Sequence, residues 1–294
     1  MAGRDGCPVP DRTGIFSLSP EHYHSDPAEH PSLSASIAHT LCSRSPLHAW
    51  TNHPRLNPNY VREEDEKFNV GNVAHAMLLE GRDIVYVIHA DNWRKAETKE
   101  ARDYARAMGK VPLLAHQLAD VEAMAAAVRE QLAVHSADPP LLADGVPERS
   151  LVWEEDDGVM CRARLDWLRA DLRTIDDLKT TARSADPNAY SRRLYDVGGD
   201  IQAAFYLRGM EKLTDAHPTF RWIVAETSPP FAMSVISPGA DVLALGAAKV
   251  EHALKLWREC LASGEWPGYA REVAYAELPA WEESRWLERQ EIAA

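Results

Sequence analysis

Apolar and polar residues follow one another along this chain in patterns that predict five helices. In three stretches the apolar residues recur every three or four positions, which is the period of an amphipathic helix. The predicted helices cover Ser32–His48, Phe68–Glu80, His116–His135, about Val197–Leu213 and about Asp241–Ser263. Ser34 or Ser36 can cap the first helix, and Gly81 is placed to end the second.

The middle of the chain has the alternation and the β-branched residues of strands. Two short turns, at Asp157-Gly158 and at Ala170-Asp171, separate three strands and predict an antiparallel meander. The three strands are Ser150–Glu155, Val159–Arg169 and Leu172–Thr181, and shorter strands are predicted at Ile84–His89, Trp222–Glu226 and Ala232–Ile236. With helices before and after these strands, the order predicts an α/β (α+β) fold with a mixed central sheet flanked by helices.

The domain organisation is interpreted as a single domain that follows an N-terminal arm. Residues 1–30 are rich in Pro, Gly, His and Asp and are expected to form a partly ordered arm. Residues 31–294 are expected to form one domain, a size within the usual range for a large domain, with a charged helical insert around residues 91–135. The tail from Trp266 to Trp281 is expected to pack as an irregular cap.

Composition and charge exclude several classes of protein. No apolar run approaches 18 residues and the N-terminus lacks a signal-peptide core, so no membrane association and a cytoplasmic location are expected. The four cysteines are scattered without a CxxC pair, which argues against a disulfide framework, a structural zinc site and an iron–sulfur cluster. The formal net charge of −13 argues against a protein that coats DNA, but it does not exclude a nuclease, which gathers carboxylates where a metal binds.

Two aspartates and a lysine in the predicted meander are the main candidates for chemistry. Asp166 lies late in the second strand, Asp177 lies in the third, and Lys179 follows two residues later on the same face. The hairpin brings Asp166 and Asp177 towards each other, and two converging carboxylates repel unless a cation lies between them. Hard oxygen ligands favour Mg²⁺ or Mn²⁺ as that cation.

Lys179 completes the set of groups that phosphodiester hydrolysis needs. An ammonium beside the metal can orient the attacking water or stabilise the charge that develops on the phosphoryl oxygens. The metal lowers the pKa of the water and polarises the phosphate. Asp and Lys two positions apart are also common on exposed strands, so the spacing alone leaves a structural ion pair open.

Three further polar residues lie where they can join this set. His75 lies inside an apolar helix, one turn after Gly71, where a histidine is either a core residue or a metal ligand. Gln202 and Tyr206 are four residues apart on the helix after the meander and therefore share a face. That face is either ordinary helix surface or a surface that faces a phosphate.

The order of these residues resembles a known superfamily of nucleases. Arg164-Leu-Asp166 followed by Asp177-Leu-Lys179 resembles the D…(D/E)xK signature of PD-(D/E)xK nucleases. The full set of Gly71-xxx-His75, Asp166, Asp177-x-Lys179 and Gln202-xxx-Tyr206 resembles the RecE-type exonucleases (exonuclease VIII) of phages and prophages, which are relatives of lambda-type exonucleases. The resemblance extends from Ser32 to Trp281 and implies that residues 31–294 form a PD-(D/E)xK nuclease domain with a restriction-endonuclease-like core.

The resemblance also implies a role for each residue of the set. Three side chains and one carbonyl would bind the metal: His75, Asp166, Asp177 and the carbonyl of Leu178. Lys179 would act on the nucleophilic water, and Gln202 and Tyr206 would support the site. Ser36 would lie near the 5′-phosphate of the substrate.

The activity that the resemblance implies is Mg²⁺-dependent, with Mn²⁺ as a substitute. It is the degradation of double-stranded DNA from 5′ ends, which leaves 3′ overhangs for recombination by strand annealing. A ring-shaped homo-oligomer, a trimer or tetramer, and a single-strand annealing protein as partner are also implied.

Two other functions remain open on the sequence. The first is another PD-(D/E)xK nuclease, such as an endonuclease or a RecB-like or Cas4-like enzyme, although this chain lacks the cysteine cluster of Cas4-like proteins. The second is a non-catalytic scaffold that binds DNA ends, against which the intact Asp166, Asp177 and Lys179 argue. Four arginines are candidates for contacts with DNA phosphates: Arg162, Arg164, Arg192 and Arg193.

Overall fold

A central sheet organises the chain in the computed structural model, which describes residues 13–61, 70–81 and 84–292. The strands of this sheet are β1 (Gly14–Ser17), β2 (Leu33–Ser34), β5 (Gly145–Glu154), β6 (Met160–Arg169), β7 (Thr174–Thr181), β8 (Thr219–Glu226) and β9 (Met233–Ile236). Two further strands, β3 (Val85–Ile88) and β4 (Val111–Leu114), pair in parallel as a separate small sheet. The main sheet has the order β1-β5-β6-β7-β8-β9, and β2 pairs with β6.

Helices flank this sheet along the described part of the chain. Those before the meander are α1 (Pro20–His24), α2 (Ala35–Ser43), α3 (Pro46–Thr51), α4 (Val70–Leu79), α5 (Ala96–Ala107) and α6 (Ala115–Val134). Those after it are α7 (Pro187–Leu194), α8 (Gly199–Leu213), α9 (Ala240–Ser263) and α10 (Ala280–Ile292). Within the described ranges, no helix is long and apolar enough to cross a membrane.

The sheet is mixed, as the sequence predicts. β5, β6 and β7 form the antiparallel meander, β7 and β8 run parallel, and β9 is antiparallel to β8. The parallel step follows from the connection, because α7 and α8 carry the chain back before β8 begins. The prediction of a mixed sheet with an antiparallel meander and flanking helices is confirmed.

Two hydrophobic clusters hold the helices against strands. The larger one includes residues of α2, α8 and α9 together with the sheet, and its fully buried aromatic side chains are Trp153, Phe205, Phe220, Trp222 and Trp257. The smaller one joins α4 and α6 through Val73, Met77, Val121 and Met124. The helix that carries His75 is therefore held by α6 on one side and, through Leu79 against Leu178 and Ile223, by the sheet.

A buried carboxylate ties the N-terminal segment to strand β6. Asp26 is only 4% exposed and accepts hydrogen bonds from the Ser32 backbone N–H at 2.9 Å and from the Ser32 hydroxyl at 2.6 Å. Arg162 lies 3.0 Å from Asp26 and His53 lies 3.3 Å away. Burial alone would raise the pKa of Asp26, but the His53 hydrogen bond and the Arg162 charge hold it below its ordinary value.

The first predicted helix, Ser32–His48, is wrong as a single element. The chain instead forms the two-residue strand β2, then α2, then α3. The Ser34 hydroxyl caps α2 by accepting from the Ile37 N–H at 3.4 Å, which is one of the two predicted caps. Pro46 begins α3 at a position where its missing N–H costs nothing, and Arg44 leaves helical geometry just before it.

The ends of the chain and the predicted insert contain elements that the sequence did not indicate. The region interpreted as an arm over residues 1–30 contains β1, which pairs antiparallel with β5, and then α1. Residues 1–12 of this arm and Phe68 of the second predicted helix lie outside the described residues. The insert around residues 91–135 contains strand β4 between α5 and α6, and the tail ends in α10. The second turn of the meander spans residues 170–173, not two residues, with Leu172 at a φ of 61°.

Helices α8 and α9 cross at a glycine, and this crossing generates a test of the fold. A methyl group on Gly246 would lie 2.2 Å from the Asp200 carbonyl oxygen, so α9 must move away from α8 in Gly246→Ala. We expect the free energy of unfolding to fall by about 1–3 kcal/mol or more, measured by urea denaturation. Gly239→Ala is the control, because no atom lies within 4 Å of the added methyl group and the cost stays below about 1 kcal/mol. Equal stability of the two variants would contradict this packing.

Candidate active site

Strand β6 loses its regular pairing at Asp166. On one side, β5 pairs through Pro147↔Trp167 and Arg149↔Leu165, and the intervening pair with Asp166 is missing. On the other side, β7 pairs with β6 only at Trp167 and Leu168, so the ladder ends at the residue that follows Asp166. The carboxylate of Asp166 therefore lies in a gap between strands.

Two donors fill the gap around Asp166. The Leu178 backbone N–H donates to Oδ2 of Asp166 at 2.8 Å, and His75 Nε2 from α4 lies 3.0 Å from the same oxygen. Burial would raise the pKa of Asp166, but the His75 hydrogen bond and charge, with Lys179, hold it below its ordinary value. Burial likewise disfavours the charged form of His75, yet Asp166 raises the pKa of His75 above its ordinary value.

Asp177 is fully buried beside Asp166 and has a different set of partners. Gln202 Nε2 donates to Oδ1 of Asp177 at 2.9 Å, and Lys179 Nζ lies 2.6 Å from Oδ2. No hydrogen bond of good geometry reaches Oδ2, so the ion pair with Lys179 is its only polar contact among the described residues. Burial raises the pKa of Asp177 to about 6 even though Lys179 opposes the shift.

The neighbouring Asp176 points to the opposite side of strand β7 and has a structural role. Arg221 on β8 donates to both of its carboxylate oxygens, at 2.6 and 2.9 Å. Asp176 also accepts from the Leu142 backbone N–H at 2.9 Å. The alternation of side chains along the strand thus separates a structural aspartate from the one at the site.

Helix α8 presents both of its predicted residues to the site. Besides its bond to Asp177, Gln202 Nε2 donates to the Tyr206 oxygen at 3.3 Å. Burial holds the pKa of Tyr206 well above its ordinary value, so its phenol stays neutral at physiological pH. The shared face predicted from their spacing therefore faces the carboxylates.

A cleft of about 480 Å³ opens on this side of the sheet. Lys179, Gln202 and Tyr206 line it together with Ser36, whose hydroxyl lies 3.1 Å from that of Ser34. Two of the four candidate arginines, Arg164 and Arg193, also line the cleft. Arg162 is instead buried against Asp26, and Arg192 is exposed on α7.

Glu148 is a site residue that the sequence reasoning missed. One donor atom from each of His75, Glu148 and Asp166 lies within 4.8 Å of the others. Glu148 has a φ of 57°, a left-handed conformation that costs a residue with a side chain on the order of 1–3 kcal/mol. The predicted strand began at Ser150, and no spacing links Glu148 to Asp166, so only the register of β5 and β6 could have revealed it.

The donor set fits a divalent cation. Carboxylate oxygens and an imidazole nitrogen are suitable ligands, and the buried Asp177 Oδ2 has no polar contact besides Lys179 among the described residues. Of the predicted ligands, His75 and Asp166 are in contact; Asp177 lies next to Asp166 but outside the 4.8 Å group. For Leu178 the structure shows its N–H on Asp166, and the metal-binding role of its carbonyl stays a prediction.

The fold and the carboxylate–lysine arrangement define a PD-(D/E)xK-like domain. The family model described as "PDDEXK-like domain of unknown function (DUF3799)" matches residues 42–279, which is well over half of the chain. The protein belongs to this family. Domains of this class generally use divalent metals, which agrees with the donor set.

A solved structure shows the same fold at low sequence identity. The crystal structure of a protein from Eubacterium rectale, described as a "putative exonuclease", aligns with a TM-score of 0.56 and 13% identity over 92% of this chain and 98% of that one. The structure of SSO0001 aligns with a TM-score of only 0.33 and 12% identity over 82% of this chain and 89% of that one. No curated protein matches this chain.

The raised pKa of Asp177 predicts how the metal-free protein responds to pH. Because the folded protein holds this proton more tightly than the unfolded chain, Asp177 stabilises the fold below about pH 4, and this contribution is lost as the pH rises through about 6. In EDTA, the free energy of unfolding of the wild type relative to Asp177→Asn should therefore fall over this range in urea titrations. Saturating Mg²⁺ should restore it, and parallel pH profiles for the two proteins in EDTA would contradict the assignment.

Proposed function

We propose that this protein is a Mg²⁺-dependent exodeoxyribonuclease that hydrolyses double-stranded DNA from 5′ ends and leaves 3′ overhangs. Mn²⁺ is expected to substitute for Mg²⁺. The observation that carries the proposal is the meeting of Asp166, Asp177 and Lys179 in the gap between β6 and β7, at a cleft lined by cations. The family match and the fold of the Eubacterium rectale protein support a nuclease of this class.

The metal would be held by Asp166, Asp177 and His75. A divalent cation bound there supplies Lewis acidity, which lowers the pKa of a water molecule and polarises the scissile phosphate. Gln202 fixes one oxygen of Asp177 by a hydrogen bond and so leaves the other to face the cation and Lys179. Tyr206 in turn accepts from Gln202 and keeps its amide in place.

Lys179 would act on the water and on the phosphate. Its side chain is 30% exposed, so the ammonium contacts the buried Asp177 and also reaches the cleft. Because Asp177 and Asp166 raise the pKa of Lys179 against the effect of burial, the group stays a cation and is a poor general base. Its role is therefore to orient the water and to stabilise charge on the phosphoryl oxygens.

The cleft provides a local positive surface on an acidic protein. Lys179, Arg164 and Arg193 line it, while the whole chain carries a formal net charge of −13. Repulsion elsewhere and attraction here would guide a phosphate backbone to the site. Ser36, at the same cleft, would contact the 5′-phosphate.

The assembly and partners of this enzyme are part of the same proposal. We infer a ring-shaped homo-oligomer, a trimer or tetramer, and a single-strand annealing protein that receives the 3′ overhang. Action in the cytoplasm fits a substrate of this kind. These inferences rest on the resemblance to RecE-type exonucleases in the order of the site residues.

Two alternatives make different predictions for the same assays. A PD-(D/E)xK endonuclease or a RecB-like enzyme would cut without the 5′ polarity. A Cas4-like enzyme is disfavoured, because the cysteines within the described ranges are free and belong to no metal-ligand group. A scaffold that binds DNA ends would bind duplex without cutting it. The buried, charged Asp177–Lys179 pair favours catalysis over this scaffold.

Substitution of the central residues tests for catalysis. Asp177→Ala and Lys179→Ala should each lower the rate of linear-duplex degradation in Mg²⁺ by about 10²–10³-fold or more, because each removes stabilisation of the transition state. Lys255→Ala is the matched control, since Lys255 is an exposed lysine on α9 that pairs with Glu259. Circular dichroism checks that the variants fold. Degradation at the wild-type rate by both site variants would sink the assignment.

Duplexes labelled at either end test the polarity. We expect early release of the label from the 5′ end, retention at the 3′ end, and faster action on a 5′-phosphorylated end than on a 5′-hydroxyl. Ser36→Ala should reduce that preference, while Ser43→Ala on the same helix, whose hydroxyl donates to the His39 carbonyl at 2.7 Å, should keep it. Internal cuts in circular duplex would favour the endonuclease instead.

A further inference from the structure

Glu148 lies opposite Asp166 in the sheet, outside the DxK motif. Between the pairs Pro147↔Trp167 and Arg149↔Leu165, the residue of β5 that faces Asp166 is Glu148, and its left-handed backbone interrupts the ladder there. Its carboxylate lies with His75 and Asp166 in the group of donors within 4.8 Å. The Glu148 carboxylate is thus directed to the place where His75 and Asp166 meet.

Arg164 holds Glu148 in this structure. Its Nε forms a short ion pair with Oε2 of Glu148. The same guanidinium donates through Nη1 to the Leu18 carbonyl at 2.9 Å and lies over the ring of Tyr23, 5.7 Å from its centroid. Arg164 therefore keeps contacts that position it at the wall of the cleft even when its carboxylate partner leaves.

We propose that Glu148 is a further metal ligand and that metal binding transfers it from Arg164 to the cation, which frees Arg164 for a phosphate of the nucleic acid. This inference rests on the proposed function. A divalent cation held by His75 and Asp166 would carry twice the charge of the guanidinium, and a carboxylate oxygen of Glu148 lies within 4.8 Å of their donor atoms. The Arg164 guanidinium is then an unpaired cation beside the cleft. Its planar arrangement of N–H donors binds a phosphate well.

The exchange couples two binding events. If the metal releases Arg164 and thereby tightens binding of the DNA backbone, bound DNA must tighten metal binding by the same factor. In the metal-free protein Glu148 blocks Arg164. Glu148 thus acts as a ligand for the metal and as an inhibitor of premature DNA binding at Arg164.

Metal binding without DNA gives the first test. In a calorimetric titration, Glu148→Gln should bind Mn²⁺ at least about tenfold more weakly than the wild type. Loss of even a residue that supports a metal ligand from outside lowers metal affinity about 10–100-fold. Glu154→Gln is the control, since Glu154 lies on the same strand and is exposed. Wild-type affinity in Glu148→Gln, with binding lost in Asp166→Asn, would overturn the role of Glu148 alone. A wild-type protein that binds no Mn²⁺ would refute the proposed function itself.

Duplex binding in EDTA gives the second test, with a fluorescent 5′-phosphorylated duplex and anisotropy as the readout. Glu148→Gln should bind several-fold more tightly than the wild type, because Arg164 is already free. In an Arg164→Gln background the same substitution should have no effect; if that background fails to fold, Arg164→Lys serves, since it loses the planar fork and should blunt the gain. An equal gain in either background, or in Glu154→Gln, would show a plain charge effect and overturn the exchange.

Discussion

The burial of carboxylates inside a sheet is the constraint on which the site depends. Asp166 and Asp177 lie where the ladder between β6 and β7 opens, and a charged group there must find partners or lose its charge. Asp166 finds an N–H of the next strand and His75, and its pKa falls. Asp177 has a lysine and an amide, which do not fully compensate for burial, and its pKa rises to about 6. The negative charge of the gap is therefore not fully compensated by the protein, which favours binding of a cation.

Elements far apart in the sequence meet around that gap. α4 packs on α6 and on the sheet and brings His75, and α8 brings Gln202 and Tyr206 while it packs closely on α9 through Gly246. Asp26 ties the N-terminal segment to Arg162 on β6 and so sets Ser34 and Ser36 at the cleft. Each side chain at the site is thus held by a helix or strand that is itself fixed by packing.

Local patterns predicted the parts of the fold that local physics decides. The turn at Asp157-Gly158 and the alternation around it gave the meander, and helical spacing gave α6, α8 and α9 close to their observed bounds. The break before Pro46 was missed although the proline marks it in the sequence, and the short strand β4 was missed as well. β4 forms through its parallel partner β3, a contact that no local pattern encodes.

The same distinction holds at the site. The order of Asp166, Asp177 and Lys179 was visible in the sequence, as was the shared face of Gln202 and Tyr206, although their roles stay predictions. The different surroundings of Asp176 and Asp177 are not visible in the sequence, because Arg221 pairs with Asp176 only when β7 and β8 lie side by side. Glu148 was invisible, since its position depends on an irregularity in the pairing of β5 with β6. Register and charge compensation are properties of the assembled sheet.

The anomalous scattering of Mn²⁺ in crystals of the protein tests most directly whether a metal ion binds at the gap between β6 and β7. We expect one strong peak at the gap between β6 and β7, within coordination distance of His75, Asp166 and Asp177, with Lys179 beside it. A protein that binds Mn²⁺ only elsewhere, with Asp177 still closed on Lys179 and no density in the gap, would contradict it.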